Sequence, residues 1–235
     1  IRPLALPSGL RADIPARTLR FLLDNLAFLR IGLRNRWIDA IAVSTEQKRR
    51  YLADLGIDST FMPVGQQAGY GRLLDLPRDI DVLFIGSIKS RRRRRALDRV
   101  FAELRKRGLT AVKPEHSIHG EERTRLVNRA RVMLHLHQYE WDTPWMRWNL
   151  SIANGAVVAS EPLSVPHPLR PGIDFLSAPI EDLPREIEAL VKDEERRRAM
   201  LDACNETVNG QMTIEISIDR LCALVDGGRP DGAAS

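Results

Sequence analysis

Short apolar segments alternate with amphipathic stretches along most of the chain. The clearest apolar segment, Ile80 to Ile85, ends at Gly86, as is typical of a strand buried on both faces of a parallel sheet. Further strands are predicted at 38–43, 59–64, 109–112, 131–137, 156–160 and 173–177. Helices are predicted at 15–34, 44–55, 91–107, 120–130, 145–153, 183–191, 194–209 and 213–225. This alternation predicts the α/β class with a doubly wound parallel sheet.

The region between Gln66 and Arg78 interrupts the alternation, because it lacks periodicity and contains two glycines and a proline. We interpret it as a linker. Before it, residues 38–65 predict a strand, a helix and a second strand, with Ser44 as the helix N-cap. We therefore expect a partial first α/β unit with the linker at residues 1–75, and a complete second domain with C-terminal helices at 76–235.

The predicted helix at 15–34 is amphipathic and basic. Its leucines recur at helical spacing among arginines. Such a helix can pack against the rest of the protein or lie on a membrane surface, and the sequence leaves both alternatives open.

Composition narrows the class of protein. The 235 residues are 43% hydrophobic and 29% charged, which excludes disorder and collagen. No apolar run approaches the roughly 20 residues that cross a bilayer. Two cysteines exclude a disulfide framework and a cysteine-based zinc site, so a cytoplasmic location is expected. The first residues, Ile-Arg-Pro, carry no initiator Met, and we expect a processed or truncated piece of a longer protein.

The net charge of +5 is a local feature, because removing the five arginines at 91–95 would cancel it. A local basic cluster indicates a local anion. Nucleic-acid binding is a weaker alternative, since the basic residues are confined to the start of one helix and no nucleic-acid motif is present.

Ligands of a doubly wound sheet bind outside the carboxyl ends of its strands. The turn after the strand at 80–85 is Gly86, Ser87, Ile88, Lys89 and Ser90, followed by Arg91 and Arg92. Small residues, a helix N-terminus and cations together suit a diphosphate. The alternative is that the arginines form only the solvated face of a helix.

Two histidines end the strand at 131–137. Alternation places His135 and His137 on one face and Leu136 on the other. A metal site would need Glu140 or Asp142 as a third ligand. A polar cleft lining, or a histidine bonded to the backbone, is the favoured interpretation.

Residues 139–149 contain three tryptophans, two acids, Arg147 and Asn149. Aromatic rings interleaved with polar groups suit a sugar or a nucleobase, whereas buried tryptophans would fill the core instead. The next predicted strand, at 156–160, follows Asn154 and is itself followed by Glu161, which could contact a ligand or have a structural role.

These segments resemble a known family. Residues from Asp79 to about Met200 look like the C-terminal, nucleotide-sugar-binding half of a GT-B glycosyltransferase. The resemblance rests on the segments DVLFIGS at 81–87, RVMLHLH at 131–137, ANGAVVASE at 153–161, PGIDF at 171–175 and 183–196. Residues 38–65 resemble the end of the N-terminal half of that fold, so the resemblance implies a Rossmann-like second domain with a partial first one.

The resemblance also implies roles for individual residues. Retaining members carry two glutamates, with seven residues between them, before an Ala-x-Gly. Counting back from Gly155 places Asp142 at the first position, expected to touch the donor sugar. Leu150 takes the second, ribose-binding position, so Asn149 or Glu161 is expected to contact the ribose instead.

We therefore expect a glycosyltransferase, or its donor-binding half, that uses a nucleotide diphosphate sugar without a metal or cofactor. The expected acceptor is a glycan, a lipid or a small molecule, and nucleic acid is not expected as a partner. Catalysis is assigned to Asp142, Arg147 and Lys89. Donor binding is assigned to Gly86, Ser87, Lys89, Arg91, Arg92, His137, Glu140, Asn149, Asn154 and Glu161. The alternative is a non-catalytic nucleotide- or polyanion-binding module.

Overall fold

The computed structural model describes residues 16–138 and 145–226, with side chains from Asp24 onward. The helices are α1 Ala16–Arg34, α2 Glu46–Asp54, α3 Arg91–Lys106, α4 Gly120–Asn128, α5 Trp145–Ala153, α6 Leu183–Lys192, α7 Glu194–Gln211 and α8 Ile214–Val225. The strands are β1 Ala42–Val43, β2 Thr60–Phe61, β3 Ile80–Leu83, β4 Ala111–Val112, β5 Ala130–His135, β6 Val157–Ser160 and β7 Leu176–Ser177.

The larger sheet has five parallel strands in the order β4-β3-β5-β6-β7. Val132 of β5 pairs with Val82 of β3 on one side and Val157 of β6 on the other. The strand order reverses between β3 and β5, which creates a crevice outside their carboxyl ends. The prediction of an α/β fold with a doubly wound parallel sheet is confirmed.

Helices cover both faces of this sheet. On one face, α3 and α6 bury Leu97 and Ile187 against Phe84 and Leu134. On the other face, α4 and α5 cover Leu83 and Met133, and α7 packs beside α5. Burial on both faces explains the nearly continuous apolar runs of β3, β5 and β6, since strands with two covered faces need no alternation.

The first unit contains β1 and β2, which pair in parallel. The N-cap of α2 is Thr45, whose hydroxyl accepts a hydrogen bond from the Lys48 amide at 3.2 Å. The prediction of Ser44 as the cap is therefore wrong by one residue. β1 is shorter than the predicted strand, because Trp37 and Ile38 instead donate backbone hydrogen bonds to Gly32 at the end of α1.

Helix α1 packs on the first unit through Leu26, which lies in a cluster with Leu52 and Ile57. Phe28 and Trp37 are exposed, at 72% and 73%. Packing against the protein is thus supported for one face of α1, and the membrane contact stays a prediction. None of the helices in the described ranges is both long and apolar enough to cross a membrane.

Helix α8 returns to the first unit. Ser217 Oγ donates a hydrogen bond to the Pro63 carbonyl at 2.7 Å, and Arg220 Nη1 donates to the Phe61 carbonyl at 3.3 Å. Gly65 lies against Ile214, because a Cβ at residue 65 would approach the Ile214 Cα to 2.3 Å. The predicted linker contains a short 3-10 helix at Ala68–Tyr70. The domain bounds of 1–75 and 76–235 stay a prediction, and these contacts join α8, which lies in the second of those domains, to the first unit.

Candidate active site

Three segments meet at the crevice between β3 and β5. They are the turn that follows β3, the segment that follows β5 at His137, and Glu161 directly after β6. Arg92, in the first turn of α3, contacts both of the latter segments, because it bonds the His137 carbonyl and the Glu161 carboxylate. The structure thus brings together most of the sequence-predicted residues at the edge where a doubly wound sheet binds its ligands.

The turn after β3 leads directly into α3. Gly86 and Ser87 are exposed, and the Ser87 hydroxyl accepts a hydrogen bond from the Lys89 amide at 3.3 Å. Ser90 caps α3, with its hydroxyl accepting from the Arg93 amide at 3.4 Å. The side chains of Lys89 and Arg91 are exposed beside this helix N-terminus. We call the turn at 86–91 together with Arg147 the cationic corner.

Arg147 reaches the corner from the first turn of α5. Its Nη1 donates a hydrogen bond to the Leu134 carbonyl at 3.2 Å, and its Cζ lies 5.4 Å from the centroid of the Phe84 ring. A Cβ at residue 86 would lie 2.9 Å from Arg147 Nη2. Glycine at this position therefore leaves room for the guanidinium, which places a third cation beside the exposed turn.

Arg92 and Glu161 bind each other. Glu161 is 4% exposed, and its two oxygens accept from Arg92 Nη1 at 3.1 Å and Nη2 at 2.5 Å. Oε1 of Glu161 also accepts the backbone N–H of His137 at 2.8 Å. The arrangement is an ion pair at the rim of the crevice between a buried carboxylate and a partly exposed guanidinium, and both side chains bond groups of the protein itself.

His135 and His137 form the floor behind this rim. Their rings lie 5.2 Å apart, and His135 is 5.6 Å from Trp148, as expected if both rings share a face. Neither ring nitrogen of His135 has a hydrogen-bond partner. Burial, reinforced by the charge of Arg147, lowers the pKa of His135 well below its usual value, so the imidazole is neutral. In the described ranges no three potential metal-ligating side chains come together.

Two of the predicted ligand residues lie away from the corner. Asn154 is at the far end of α5, where its amide contacts the Tyr70 and Leu150 carbonyls and the side chain of Asn128. Asn149 is fully buried and donates to the Val64 carbonyl at 2.9 Å. The structure therefore places Asn154 in contacts that join the end of α5 to the linker, and Asn149 in a contact that joins α5 to the first unit.

The structure describes the tryptophan-rich segment at 139–149 from Trp145 onward. Trp145 and Trp148 are buried, at 2% and 0% exposure, and pack edge to face, so they fill the core. Trp145 Nε1 also donates to the Ser44 carbonyl at 2.7 Å, which joins α5 to the first unit. Asp142 and Glu140, predicted to contact the donor sugar, lie outside the described residues.

Sequence reasoning missed two features. Arg93 is 5% exposed and supports the corner by donating from Nη1 to the Ser87 carbonyl at 3.2 Å; its place in the first turn of a capped helix was the available signal. A cavity of about 440 Å³ lies at the carboxyl ends of β1 and β2, lined by side chains such as Ser44, Lys48 and Ser217. No local motif marks it, because β1, the linker and α8 contribute to its walls.

The family of the chain follows from comparison with known proteins. A family model described as glycosyl transferase-like matches residues 78–223, whereas no curated protein sequence matches the chain. Residues 78–223 include all five strands of the larger sheet and most of α8, and they make up more than half of the chain.

Solved structures share the fold at low sequence identity. HepE from Anabaena has a TM-score of 0.65 at 8% identity, with 85% of this chain and 66% of that chain covered. Sucrose-phosphate synthase from Thermosynechococcus elongatus scores 0.63 at 14%, with 80% and 58% covered. TarM from S. aureus scores 0.63 at 11%, with 80% and 44% covered.

The chain therefore spans about half to two thirds of these proteins, and their whole-protein activities do not transfer with the fold. The matched region and the shared Rossmann-like sheet place the chain in one family. The chain belongs to the glycosyl transferase-like family, with the GT-B fold in its larger domain.

Proposed function

We propose that this chain is the donor-binding part of a glycosyltransferase that takes its sugar from a nucleotide diphosphate sugar. The observation that carries the proposal is the cationic corner. An exposed Gly86-Ser87 turn, the N-terminus of α3 and the guanidinium of Arg147 converge at the switch point of the sheet. Backbone N–H groups at a helix N-terminus and fixed cations suit a diphosphate.

The chemistry of the proposed reaction is charge neutralisation. When the bond between the sugar and the diphosphate breaks, negative charge builds on the leaving diphosphate oxygens. Lys89, Arg91 and Arg147, together with the N–H groups of the turn, stabilise that charge. In this proposal the cations neutralise the diphosphate charge that a divalent metal neutralises in other phosphate chemistry, so the proposed mechanism requires no metal or cofactor.

Orientation of the sugar is assigned to the acidic residues that follow β5 in the sequence. Asp142 has the primary role in this proposal, with Glu140 as a second hydroxyl acceptor. Carboxylates accept hydrogen bonds from two hydroxyls at once, which fixes the sugar relative to the diphosphate. The ribose contact expected of Asn149 or Glu161 is not part of the proposal, because both side chains are buried and engaged elsewhere.

The relatives suggest the type of donor and acceptor. HepE was solved with UDP and glucose, and S. aureus TarM with UDP, alpha-GlcNAc-glycerol and Fondaparinux. A UDP-hexose donor and a glycan acceptor are therefore the first substrates to test with this chain. A cytoplasmic location, where such donors would be available to it, belongs to the same proposal.

Calorimetric titration with UDP, GDP and ADP tests the donor site. We expect at least one to bind, with affinity that falls as salt rises. Arg147→Gln and Lys89→Gln should each weaken binding by about tenfold or more, since each removes a charge-assisted contact. Arg105→Gln is the matched control, because Arg105 lies over Phe101 at 5.6 Å as Arg147 lies over Phe84. Absence of binding to all three by the folded wild type would refute the donor site.

A binding module without catalysis is the second candidate. It is favoured by Leu150, which is 8% exposed and packs in an apolar cluster, where the resemblance calls for a ribose-binding glutamate. This alternative requires nucleotide binding without turnover when the full-length protein is given UDP-glucose and a glycan acceptor. Release of UDP that depends on the acceptor would exclude it.

A further inference from the structure

We propose that Arg92 and Glu161 are a pair of positioning residues that clamp the peptide of His137 and so hold the donor site in shape. The inference rests on the function proposed above and deepens it. It assigns to these two residues an indirect role, through the backbone of His137, instead of contact with the nucleotide sugar.

The hydrogen bonds of the pair leave the carboxylate little capacity for a ligand. Glu161 Oε1 accepts from Arg92 Nη1 at 3.1 Å and from the His137 amide at 2.8 Å, and Oε2 accepts from Arg92 Nη2 at 2.5 Å. Its side chain is 6% exposed. A carboxylate that is buried, bidentate to arginine and bonded to a backbone amide serves the protein's own structure.

Both backbone polar groups of His137, the N–H and the carbonyl, are hydrogen-bonded to the pair. The N–H donates to Glu161, and the carbonyl accepts from Arg92 Nη1 at 3.0 Å. One residue further on, the Gln138 carbonyl accepts from the Ser90 hydroxyl at 3.2 Å. The first turn of α3, the end of β5 and the end of β6 are therefore tied together at a single point.

This point is bonded to the start of α3 and precedes, in the sequence, the acids that the proposed reaction uses. Ser90 and Arg92 belong to the start of α3, whose N-terminus forms the cationic corner. Residues 139–144, which include the proposed sugar-orienting acids, follow Gln138 directly in the sequence. Fixing His137 and Gln138 thus fixes, relative to the cationic corner, the point in the chain after which the proposed sugar-orienting residues follow in sequence.

The opposite charges of Arg92 and Glu161 are consistent with a role in positioning His137. Arg92 has a side chain that is 33% exposed, but its charge is offset by Glu161 at the rim. Removing one member of such a pair leaves the other without compensation, and removing both also leaves the N–H and the carbonyl of His137 without their partners. Every clamp variant is therefore expected to lose some stability, and ligand binding is compared only under conditions in which each variant is folded.

The test compares Glu161→Gln, Arg92→Lys and the double variant R92M/E161L with the wild type, all well below their melting temperatures. UDP and inorganic pyrophosphate are titrated by calorimetry, and amide hydrogen exchange is followed at 137–138. The matched control is Glu181→Gln, since Arg99 of α3 pairs with Glu181 at 3.0 Å on the exposed surface.

We expect each clamp variant to bind both UDP and pyrophosphate at least about tenfold more weakly and to exchange the 137–138 amides faster, because preorganisation is lost. The double variant should do so as well while still folded, and it should unfold at a lower denaturant concentration than the wild type, because the buried N–H of His137 loses its acceptor. Glu181→Gln should match the wild type in every measurement.

Three outcomes overturn the clamp. UDP affinity and exchange in Glu161→Gln could equal those of the wild type. Arg92→Lys could bind UDP as tightly as the wild type, which would show that a positive charge at residue 92 suffices without the bidentate contact. Glu161→Gln could weaken UDP but not pyrophosphate with unchanged exchange, which would indicate direct contact with the nucleoside. If the wild type binds no nucleotide, the proposed function fails, and the exchange rates alone then decide whether the clamp exists.

Discussion

The guanidinium of Arg147 occupies the space that a side chain at Gly86 would need. A Cβ at residue 86 would lie 2.9 Å from Arg147 Nη2. The cation reaches this place from α5, on a different segment from the turn it faces. The cationic corner is therefore assembled from two elements, and its geometry depends on a glycine that itself carries no charge.

Gly86→Ala should weaken UDP binding several-fold and leave the stability of the protein nearly unchanged. The added methyl group displaces the far end of a flexible side chain, so Arg147 shifts and folding is preserved. Calorimetry with UDP and chemical denaturation check the two parts. Gly69→Ala is the matched control, because a Cβ there meets nothing within 4 Å. Equal UDP affinity in both variants would contradict the role given to Gly86.

Asn154→Ala should reduce the free energy of unfolding by about 2–4 kcal/mol, because buried partners lose their hydrogen bonds. The Asn154 amide donates to the Leu150 carbonyl at 2.7 Å and to the Tyr70 carbonyl at 3.0 Å, and its oxygen accepts from Asn128 at 2.9 Å. The folded variant should bind UDP as the wild type does. A large loss of UDP affinity without a loss of stability would instead return Asn154 to the ligand site.

The sequence was sufficient for the elements of the larger sheet. The apolar run at 80–85 predicted β3, and the periodicity at 145–153 predicted α5 with the bounds found in the structure. Both signals are local, since burial on two faces and a 3.6-residue repeat are visible within one segment. The same reasoning predicted too long a strand at 38–43. The backbone N–H groups of Trp37 and Ile38 donate to the Gly32 carbonyl at the end of α1 instead of to a neighbouring strand.

The candidate site was predictable only in part. The rule that ligands bind at strand ends selected Gly86, Lys89 and Arg147 from the sequence, and the structure brings these residues together. The same rule could not show that Glu161 pairs with Arg92, 69 residues earlier. Partners of a buried polar group are set by how distant segments approach in space, and a single sequence carries no direct sign of that approach.

Trp145→Phe should destabilise the protein by about 1–3 kcal/mol more than Trp148→Phe. Both changes remove the same ring atoms from buried positions. Trp145 Nε1 donates to the Ser44 carbonyl at 2.7 Å, whereas Trp148 Nε1 has no partner. The first variant therefore breaks a bond between α5 and the first unit, and the second removes an unsatisfied donor. Urea denaturation of both variants gives the difference, and equal losses would contradict the proposed tie.

The buried imidazole of His135 should make the protein less stable as the pH falls below about 6.5, the usual histidine pKa. Burial lowers the pKa of His135 in the folded state, with Arg147 and His137 adding to the effect. Below its unfolded-state pKa the unfolded chain binds a proton that the folded chain does not. Unfolding is then favoured by up to about 1.4 kcal/mol per pH unit, and above that pKa the contribution vanishes.

Denaturation curves between neutral pH and pH of about 5 measure this slope. Replacing the imidazole, as in His135→Phe, should flatten the dependence, because the variant has no group to protonate there. His116→Gln is the control, since His116 is exposed and pairs with Glu122 at 3.2 Å, and it should keep the wild-type slope. If His135→Phe and the wild type lose stability in parallel as the pH falls, then His135 takes up its proton without unfolding, and a neutral, buried imidazole beside Arg147 is refuted.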